Sequence, residues 1–222
     1  VRLYHHLKSE AHIRQVIDKY YQNFAEHRIS PYNPFFGASV KRTVDKNSLS
    51  VRIDFSNFDP IATRNLNKYH FNTFRMKIDG LGSGTFHARK AGSIAGFDET
   101  NPQYQILMTD YLKELQNHYE KMGWLDKAYI YWFDEPNPQD YDFVKGKMEL
   151  IHQAAPKLSR MLTEQPEPEL YGAVDIWCPK TNHYEHEIAE QRRKQGEHFW
   201  WYVCSTPTEP FCTLFIDHYA VE

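Results

Sequence analysis

Short apolar runs alternate with longer amphipathic stretches along most of this 222-residue chain. Short runs rich in β-branched and aromatic residues predict strands, whereas apolar residues recurring at helical spacing predict helices. The predicted strands cover residues 27–30, 71–78, 129–134, 158–163, 173–178 and 199–204. The predicted helices cover residues 8–25, 58–69, 101–122, 138–154 and 183–195, and residues 211–222 begin one more. This alternation is typical of βαβ units around a parallel sheet.

A predicted β-hairpin interrupts the alternation. Its strands, residues 40–44 and 49–55, flank a turn at Asp45-Lys46-Asn47, a composition that favours chain reversal. The six other strands fit either an open doubly wound sheet or a closed (β/α)8 barrel. The pattern alone leaves both architectures open. A chain of this length can bury a full core, and we expect residues 1–222 to form one domain.

The strand at residues 129–134 delivers two adjacent carboxylates, Asp134 and Glu135, directly before Pro136. The strand must stop there because proline cannot continue the ladder. In parallel α/β proteins, ligands bind at the carboxyl ends of the strands. Two adjacent carboxylates repel each other, so the pKa of at least one is expected to rise, as a general acid at neutral pH requires. A structural alternative is that Asp134 caps a helix and Glu135 complements its dipole.

Composition and spacing argue against several other functions. The net charge is −3 with both signs well mixed, so no basic face for nucleic acid is indicated. No apolar run approaches the roughly 20 residues of a membrane span. His183 and His186 are three residues apart, unlike the zinc-protease spacing, and the three cysteines show no metal-like pairing. We therefore expect no metal site, and the resemblance described below implies that no organic cofactor is required either.

The glycine-rich segment 80–84 lacks the lysine and hydroxyl of a phosphate-binding P-loop, so a βα loop over the site is the better interpretation. Aromatic residues follow two further strands. Singly, such side chains belong to cores more often than to sites, but several near two carboxylates suit a cleft that stacks sugar rings. These candidates are Trp177, Trp200, Trp201 and Tyr202.

Three ordered motifs resemble the catalytic domain of glycoside hydrolase family 123, which includes β-N-acetylgalactosaminidases. They are Tyr-Trp-Phe-Asp-Glu-Pro at 131–136, Asp-Ile-Trp-Cys-Pro at 175–179 and Trp-Trp-Tyr-Val-Cys at 200–204. Residues 26–30 and 54–59 support the match. The resemblance implies a TIM-like (β/α)8 barrel in which the six predicted strands are the second to seventh. The first and eighth strands would then be missing. We therefore expect the given sequence, which begins at Val1, to be an excerpt of a longer chain. The resemblance also implies a periplasmic or secreted bacterial protein.

The resemblance further implies a substrate-assisted retaining mechanism on terminal β-linked N-acetylgalactosamine or a related N-acetylhexosamine. Glu135 would be the general acid and base, and Asp134 would hold the acetamido group. The glycan would contact residues on strand ends and the loops after them. These expected contacts are Arg28, Tyr131, Trp177, Asn182, Trp200, Trp201 and Tyr202.

Two alternatives stay open at the level of sequence. In one, Glu164 or Glu209 acts as a nucleophile, as in ordinary retaining glycosidases, and no acetamido group is needed. In the other, the protein binds carbohydrate without cleaving it, because fold does not fix function. The sequence leaves open the galacto or gluco preference, the natural aglycone and the oligomeric state.

Overall fold

The computed structural model of the protein describes residues 9–85 and 89–204. Its α-helices are α1 (Glu10–Glu26), α2 (Phe58–Tyr69), α3 (Pro102–Met122), α4 (Tyr141–Ala154) and α5 (His186–Arg193). Short 3-10 helices span Pro138–Asp140, Pro168–Leu170 and Thr181–His183. The strands are β1 (Lys41–Asp45), β2 (Ser50–Asp54), β3 (Phe74–Met76), β4 (Ser83–Thr85), β5 (Arg89–Lys90), β6 (Ser93–Ile94), β7 (Phe97–Asp98), β8 (Ala128–Asp134), β9 (Ser159–Thr163), β10 (Ile176–Trp177) and β11 (His198–Phe199).

A parallel sheet organises the chain. Its strands run in the order β11, β10, β9, β8 and then β3 with β4, and every one of these pairings is parallel. Strands β3 and β4 share one side of β8: β3 pairs with its first half and β4 with its last two residues. The protein is therefore an α/β fold with five parallel strand positions, to which β5 adds antiparallel to β4. Among the described residues the sheet does not close into a barrel.

Local sequence explains why the longest helix begins and ends where it does. The Asn101 side chain accepts a hydrogen bond from the backbone N–H of Gln103, and Pro102 occupies the first helical turn, where its missing N–H costs nothing. Gly123 ends α3 at φ 69°, a left-handed conformation that glycine adopts without strain. Between these caps, one apolar face of α3 is buried, and the helix packs against β2, α4, β6 and β7.

The two faces of the sheet carry different clusters. The larger cluster contains the buried side chains of the helices together with Ile130, Phe133, Leu162 and Trp177 from the strands. The smaller one consists of Tyr129, Met161, Ile176 and Cys178, and Tyr131, Trp200 and Tyr202 pack against it. No described helix residue belongs to the smaller cluster. The second face is thus lined by strand residues and their aromatic neighbours.

A β-bulge in β8 breaks the alternation of its side chains. Tyr131 pairs with Met161 and Asp134 with Thr163, so three steps along β8 match two along β9. One extra residue in a strand reverses the faces of the residues beyond it. Trp132 and Phe133 accordingly pack together, with ring centroids 4.4 Å apart. Tyr131 and Asp134 instead lie on the same face, which brings them into contact.

An ion pair joins β9 to Asp175, the residue directly before β10, with the Arg160 side chain 3% and the Asp175 side chain 35% exposed. Arg160, only 2% exposed, donates from its guanidinium to both carboxylate oxygens of Asp175 at 2.7 and 2.8 Å. The same guanidinium donates to the carbonyls of Met148 and Gly172, each at 3.3 Å. A buried charge is tolerated when it is paired and hydrogen-bonded in this way. Asp175 of the 175–179 motif thus has a structural role.

Most of the predicted elements are present, with one clear exception. The hairpin of β1 and β2 and the five predicted helices within the described residues are confirmed, and α2 has the predicted limits. The strand predicted at residues 27–30 is wrong. Arg28 adopts φ 57° in the turn after α1, and left-handed backbone of this kind cannot extend a strand. The predicted segment 211–222 lies outside the described residues.

The glycine-rich segment 80–84 is also more ordered than predicted. Its end forms β4, which pairs with Phe133 and Asp134 of β8 through Gly84 and Thr85. None of the helices within residues 9–85 and 89–204 combines the length and the apolar character needed to cross a membrane.

Candidate active site

Asp134, the last residue of β8, is held by two hydroxyl groups. Tyr131 donates to its Oδ1 at 2.5 Å, and Thr163 at the end of β9 donates to the same oxygen at 3.0 Å. The β-bulge makes the first bond possible by turning Tyr131 and Asp134 to one face. Burial and the neighbouring Asp134 raise the pKa of Tyr131 well above its usual value, so its hydroxyl remains a donor. The orientation of the Asp134 carboxylate is therefore fixed by one donor from its own strand and one from β9.

Glu135 follows in a left-handed conformation, with φ 44°. Such backbone costs a non-glycine residue roughly 1–2 kcal/mol and persists where surrounding contacts enforce it. One such contact is the Glu135 N–H, which donates to Thr163 Oγ1 at 3.0 Å. The side chain is held separately: Tyr202 donates to Oε1, and the Lys180 ammonium lies 3.5 Å from that oxygen. Adjacent carboxylates thus have different sets of partners.

A cleft of about 320 Å³ opens beside Glu135, and we name it the Glu135 cleft. Its volume lies within the usual range for small-molecule sites. It is lined by side chains from the carboxyl ends of β8, β9 and β10 and from the start of α4. Those that matter most here are Glu135, Tyr141, Glu164, Lys180, His183 and Tyr202.

Glu164 stands out electrostatically in this cleft. Its burial, reinforced by the negative charges of Glu167 and Glu135, raises the pKa of this carboxyl to about 7. The backbone N–H of Gln165, 3.2 Å from Oε1, opposes the shift but does not cancel it. Burial and nearby Glu164 also raise the pKa of Tyr141, whose hydroxyl stays protonated. The cleft therefore contains one carboxyl that holds its proton up to neutral pH.

Arg75 and Tyr32 flank Asp134 on the side of β3. The Arg75 guanidinium lies 5.0 Å from the centre of the Tyr32 ring and donates from Nε to the Tyr131 carbonyl at 3.1 Å. Tyr32 is 50% exposed. Its pKa is raised by burial of the hydroxyl and, to a smaller extent, by Asp134. An accessible ring beside a fixed carboxylate can form a platform for a sugar.

A second cleft, of about 430 Å³, lies along β8 between the end of β3 and the start of β4. Among the described lining residues Asp79 is the one carboxylate, and it forms an ion pair with Lys77 at 3.1 Å. Paired carboxylates are absent from that lining, so the larger cleft lacks the groups for acid–base chemistry. The Glu135 cleft is the better candidate for an active site.

The aromatic candidates separate by face. Trp200 and Tyr202 pack against the smaller cluster, and Trp200 meets Tyr129 edge-to-face with ring centroids 4.9 Å apart. Trp201 points the other way, is 63% exposed and lies near Tyr184. The alternation of side chains along an extended chain explains this division. Trp200 and Tyr202 therefore lie on the face that carries Tyr131.

Trp177 does not line the cleft, contrary to the sequence expectation. It is completely buried in the larger cluster, and its indole N–H donates to Glu197 at 2.5 Å. Glu197 is in turn paired with Arg192. A ring enclosed by core residues has no surface for a sugar. The partner that satisfies its N–H explains why tryptophan is tolerated there.

The two remaining candidates do not line the Glu135 cleft. Arg28 is exposed in the turn after α1 and lines neither cleft. Asn182 is exposed in the 3-10 helix Thr181–His183, and its neighbour His183 reaches the Glu135 cleft while Asn182 itself does not line it. The structure therefore joins Tyr131 to Asp134 and Tyr202 to Glu135. Trp200 lies on the face that carries Tyr131 but, like Asp134, does not line the Glu135 cleft. Glu209 lies outside the described residues.

Four residues near the carboxylates were not predicted from the sequence: Lys180, Thr163, Tyr32 and Arg75. Thr163 ends one predicted strand and Lys180 follows another, at the same edge of the sheet as Asp134, so their position was a usable signal. Tyr32 and Arg75 had no such signal, because their contact depends on the path of the chain after α1. Among the residues that the structure describes, no group of three or more His, Cys, Asp or Glu side chains is arranged to hold a metal ion.

Comparison with known proteins now bears on this arrangement. The family model of the glycoside hydrolase 123 catalytic domain matches residues 61–222. Among solved structures, the chain is similar to a family 123 glycoside hydrolase from Clostridium perfringens, described in work on glycolipid glycan hydrolysis, with a TM-score of 0.55 at 16% identity. The match covers 91% of this chain but 40% of that one, so the chain spans less than half of that protein's length. No match was found among curated proteins.

Proposed function

We propose, from the premise that this chain belongs to glycoside hydrolase family 123, that it removes terminal β-linked N-acetylgalactosamine or a related N-acetylhexosamine from glycans. The proposed mechanism is substrate-assisted and retains the anomeric configuration. The observation that carries the proposal is the separate anchoring of two adjacent carboxylates. Asp134 is bound by Tyr131 and Thr163, and Glu135 by Tyr202 and Lys180.

The separate anchoring suits a division of work between the two residues. In the first step Glu135 protonates the departing glycosidic oxygen, while the acetamido oxygen of the substrate attacks the anomeric carbon and forms an oxazolinium ion. Asp134 accepts a hydrogen bond from the acetamido N–H and stabilises the positive charge that develops. In the second step Glu135 takes a proton from water, which opens the oxazolinium ion and restores the acid. Glu135 therefore carries its proton again at the end of each turnover.

The state of Glu164 argues against its acting as a nucleophile. A nucleophilic carboxylate must be ionised, whereas burial raises the pKa of Glu164 to about 7, so that this carboxyl is mostly protonated below neutral pH. Ordinary retention would need such a second carboxylate across the anomeric carbon. Glu164 is better suited to hold a proton beside Glu135. This favours an acetamido nucleophile supplied by the substrate.

We also propose that the five parallel strand positions are an arc of a (β/α)8 barrel. The described helices pack on the larger cluster, and the smaller cluster of strand residues on the other face would then lie inside the barrel. Tyr131, Trp200 and Tyr202 pack against this inner cluster, near the carboxylates. With the half-exposed Tyr32, they are the proposed walls around the sugar.

The test compares three nitrophenyl glycosides: the β-N-acetylgalactosaminide, the β-N-acetylglucosaminide and the plain β-galactoside. We expect cleavage of acetamido sugars alone, lost in Glu135→Gln, and strongly reduced in Asp134→Asn. A thiazoline analogue of the preferred sugar, which imitates the oxazolinium ion, is expected to inhibit. Cleavage of the plain galactoside would overturn substrate assistance. Sugar binding without turnover, unaffected by Glu135→Gln, would indicate a carbohydrate-binding barrel instead.

A further inference from the structure

Glu135 directly follows β8 and Glu164 directly follows β9, and both line the same cleft. The hydroxyl of Thr163, the last residue of β9, accepts a hydrogen bond from the Glu135 N–H at 3.0 Å. The charge of Glu135 is one cause of the raised pKa of Glu164. Carboxyl groups that interact strongly titrate as a pair.

The titratable and charged groups around Glu164 come from several different parts of the chain. Glu135 after β8 and Glu167 on its own loop repel its negative charge, while Lys180 after β10 attracts it. Tyr141 of α4 faces it with a neutral hydroxyl, and His183 lines the same cleft. The Lys180 ammonium also lies 3.5 Å from Glu135 Oε1. The single Lys180 ammonium therefore attracts the carboxyl groups of both Glu135 and Glu164, and its one positive charge can balance the negative charge of one of them.

We propose that Glu164 is a positioning residue for the acid–base step, sharing one proton with Glu135 beside the Lys180 ammonium. This inference rests on the proposed function. Two arrangements have the same net charge: a protonated Glu164 with an ionised Glu135, and the reverse. The proton passes from the Glu164 carboxyl to a Glu135 carboxylate oxygen, directly or through one water. Glu135 is then ready to protonate the glycosidic oxygen.

The sign of the effect on activity follows from repulsion. An ionised Glu164 disfavours a second negative charge on Glu135 and so keeps the proton on Glu135 to higher pH. Glu164→Gln removes that charge but leaves Lys180 in place. As the pH rises, the activity that depends on a protonated Glu135 should then begin to fall at a lower pH than in the wild type. A like charge at this range shifts titration by roughly one pH unit, which corresponds to about a tenfold loss at one pH on the descending limb.

The experiment measures kcat/KM from pH 4 to pH 9 with the nitrophenyl β-N-acetylgalactosaminide. In Glu164→Gln we expect the descending limb of the pH profile of kcat/KM to move about one pH unit to lower pH. The value of kcat/KM at pH 5 should change little. Glu164→Asp keeps a carboxyl and is expected to restore part of the shift. Glu169→Gln is the matched control, because it removes the same charge from an exposed position in the same loop. A uniform loss at every pH in Glu164→Gln, with the limb unmoved, would show a purely structural role and overturn the proposal.

A second measurement does not require turnover. Carbon-13 NMR of labelled glutamate carboxyls should show one group titrating near neutral pH, absent from Glu164→Gln and displaced to lower pH in Glu135→Gln. If that titration is unchanged in Glu135→Gln, the two groups do not share a proton and the inference fails. If the wild type cleaves no acetamido sugar but the NMR coupling is present, the proposed function fails while the carboxyl pair stands.

Discussion

The Thr163 hydroxyl is the point at which the two halves of the candidate site are joined. It donates to Asp134 Oδ1 and accepts from the Glu135 N–H, both at 3.0 Å, and it lies 3.3 Å from the Tyr131 hydroxyl. Thr163→Val replaces this hydroxyl with a methyl of nearly the same shape. The substitution therefore tests the hydrogen bonds and leaves the packing of β9 largely intact.

The expected loss of stability in Thr163→Val follows from the two hydrogen bonds of the Thr163 hydroxyl, to Asp134 and from the Glu135 N–H. A hydrogen bond to a charged group contributes about 1.5–3 kcal/mol and a neutral one about 1 kcal/mol. Asp134 keeps its bond from Tyr131 and is partly accessible to water, so the lower end applies to that carboxylate. The Glu135 N–H loses the acceptor that helps to hold its left-handed backbone. We expect the free energy of unfolding to fall by about 2–3 kcal/mol.

The assay is urea denaturation of the wild type, Thr163→Val and the control Thr163→Ser, which keeps the hydroxyl. Thr163→Val should lower the midpoint with an unchanged slope, whereas Thr163→Ser should cost less than about 1 kcal/mol. With acetamido substrates, kcat is expected to fall at least about tenfold in Thr163→Val, because small displacements of catalytic groups are costly. Equal stability and activity in the two variants would refute the role assigned to the hydroxyl.

Three further predictions concern the cleft and its support. Trp200→Ala should reduce kcat/KM by about tenfold through lost stacking, whereas Trp201→Ala should change it less than about twofold; equal losses would contradict the division of faces. Asp175→Ala should lower the free energy of unfolding by about 3 kcal/mol, since Arg160 is left buried and unpaired, and thermal or urea unfolding measures this. Burial raises the pKa of Glu164 from 4.5 to about 7, so the folded state loses stability between these pH values as the unfolded chain ionises first. Glu164→Gln should therefore stabilise the protein at pH 8 and not at pH 4; a gain at both pH values would refute this explanation.

Much of the fold could be predicted because its signals are local. The limits of α2 and the positions of β1 and β2 follow from helical and alternating periodicity within short windows. The position of Asp134 and Glu135 at the end of β8 followed from an apolar run that stops at a proline. The strand predicted at residues 27–30 failed because four residues carry little periodic signal, and the turn at Arg28 competes with it.

The sequence by itself determined which side chains the candidate site could use: two adjacent carboxylates after one strand and aromatic residues after others. The tertiary structure decided which of them meet. Trp177 and Trp200 both follow strand-like runs, yet one lies in the core and the other on the site face. The bulge that turns Asp134 toward Tyr131 exists only in the pairing of β8 with β9. Glu135 meets Tyr202 across 67 residues of chain. Such contacts depend on strand register and order, which are fixed by the packing of the whole sheet, and no local pattern encodes them.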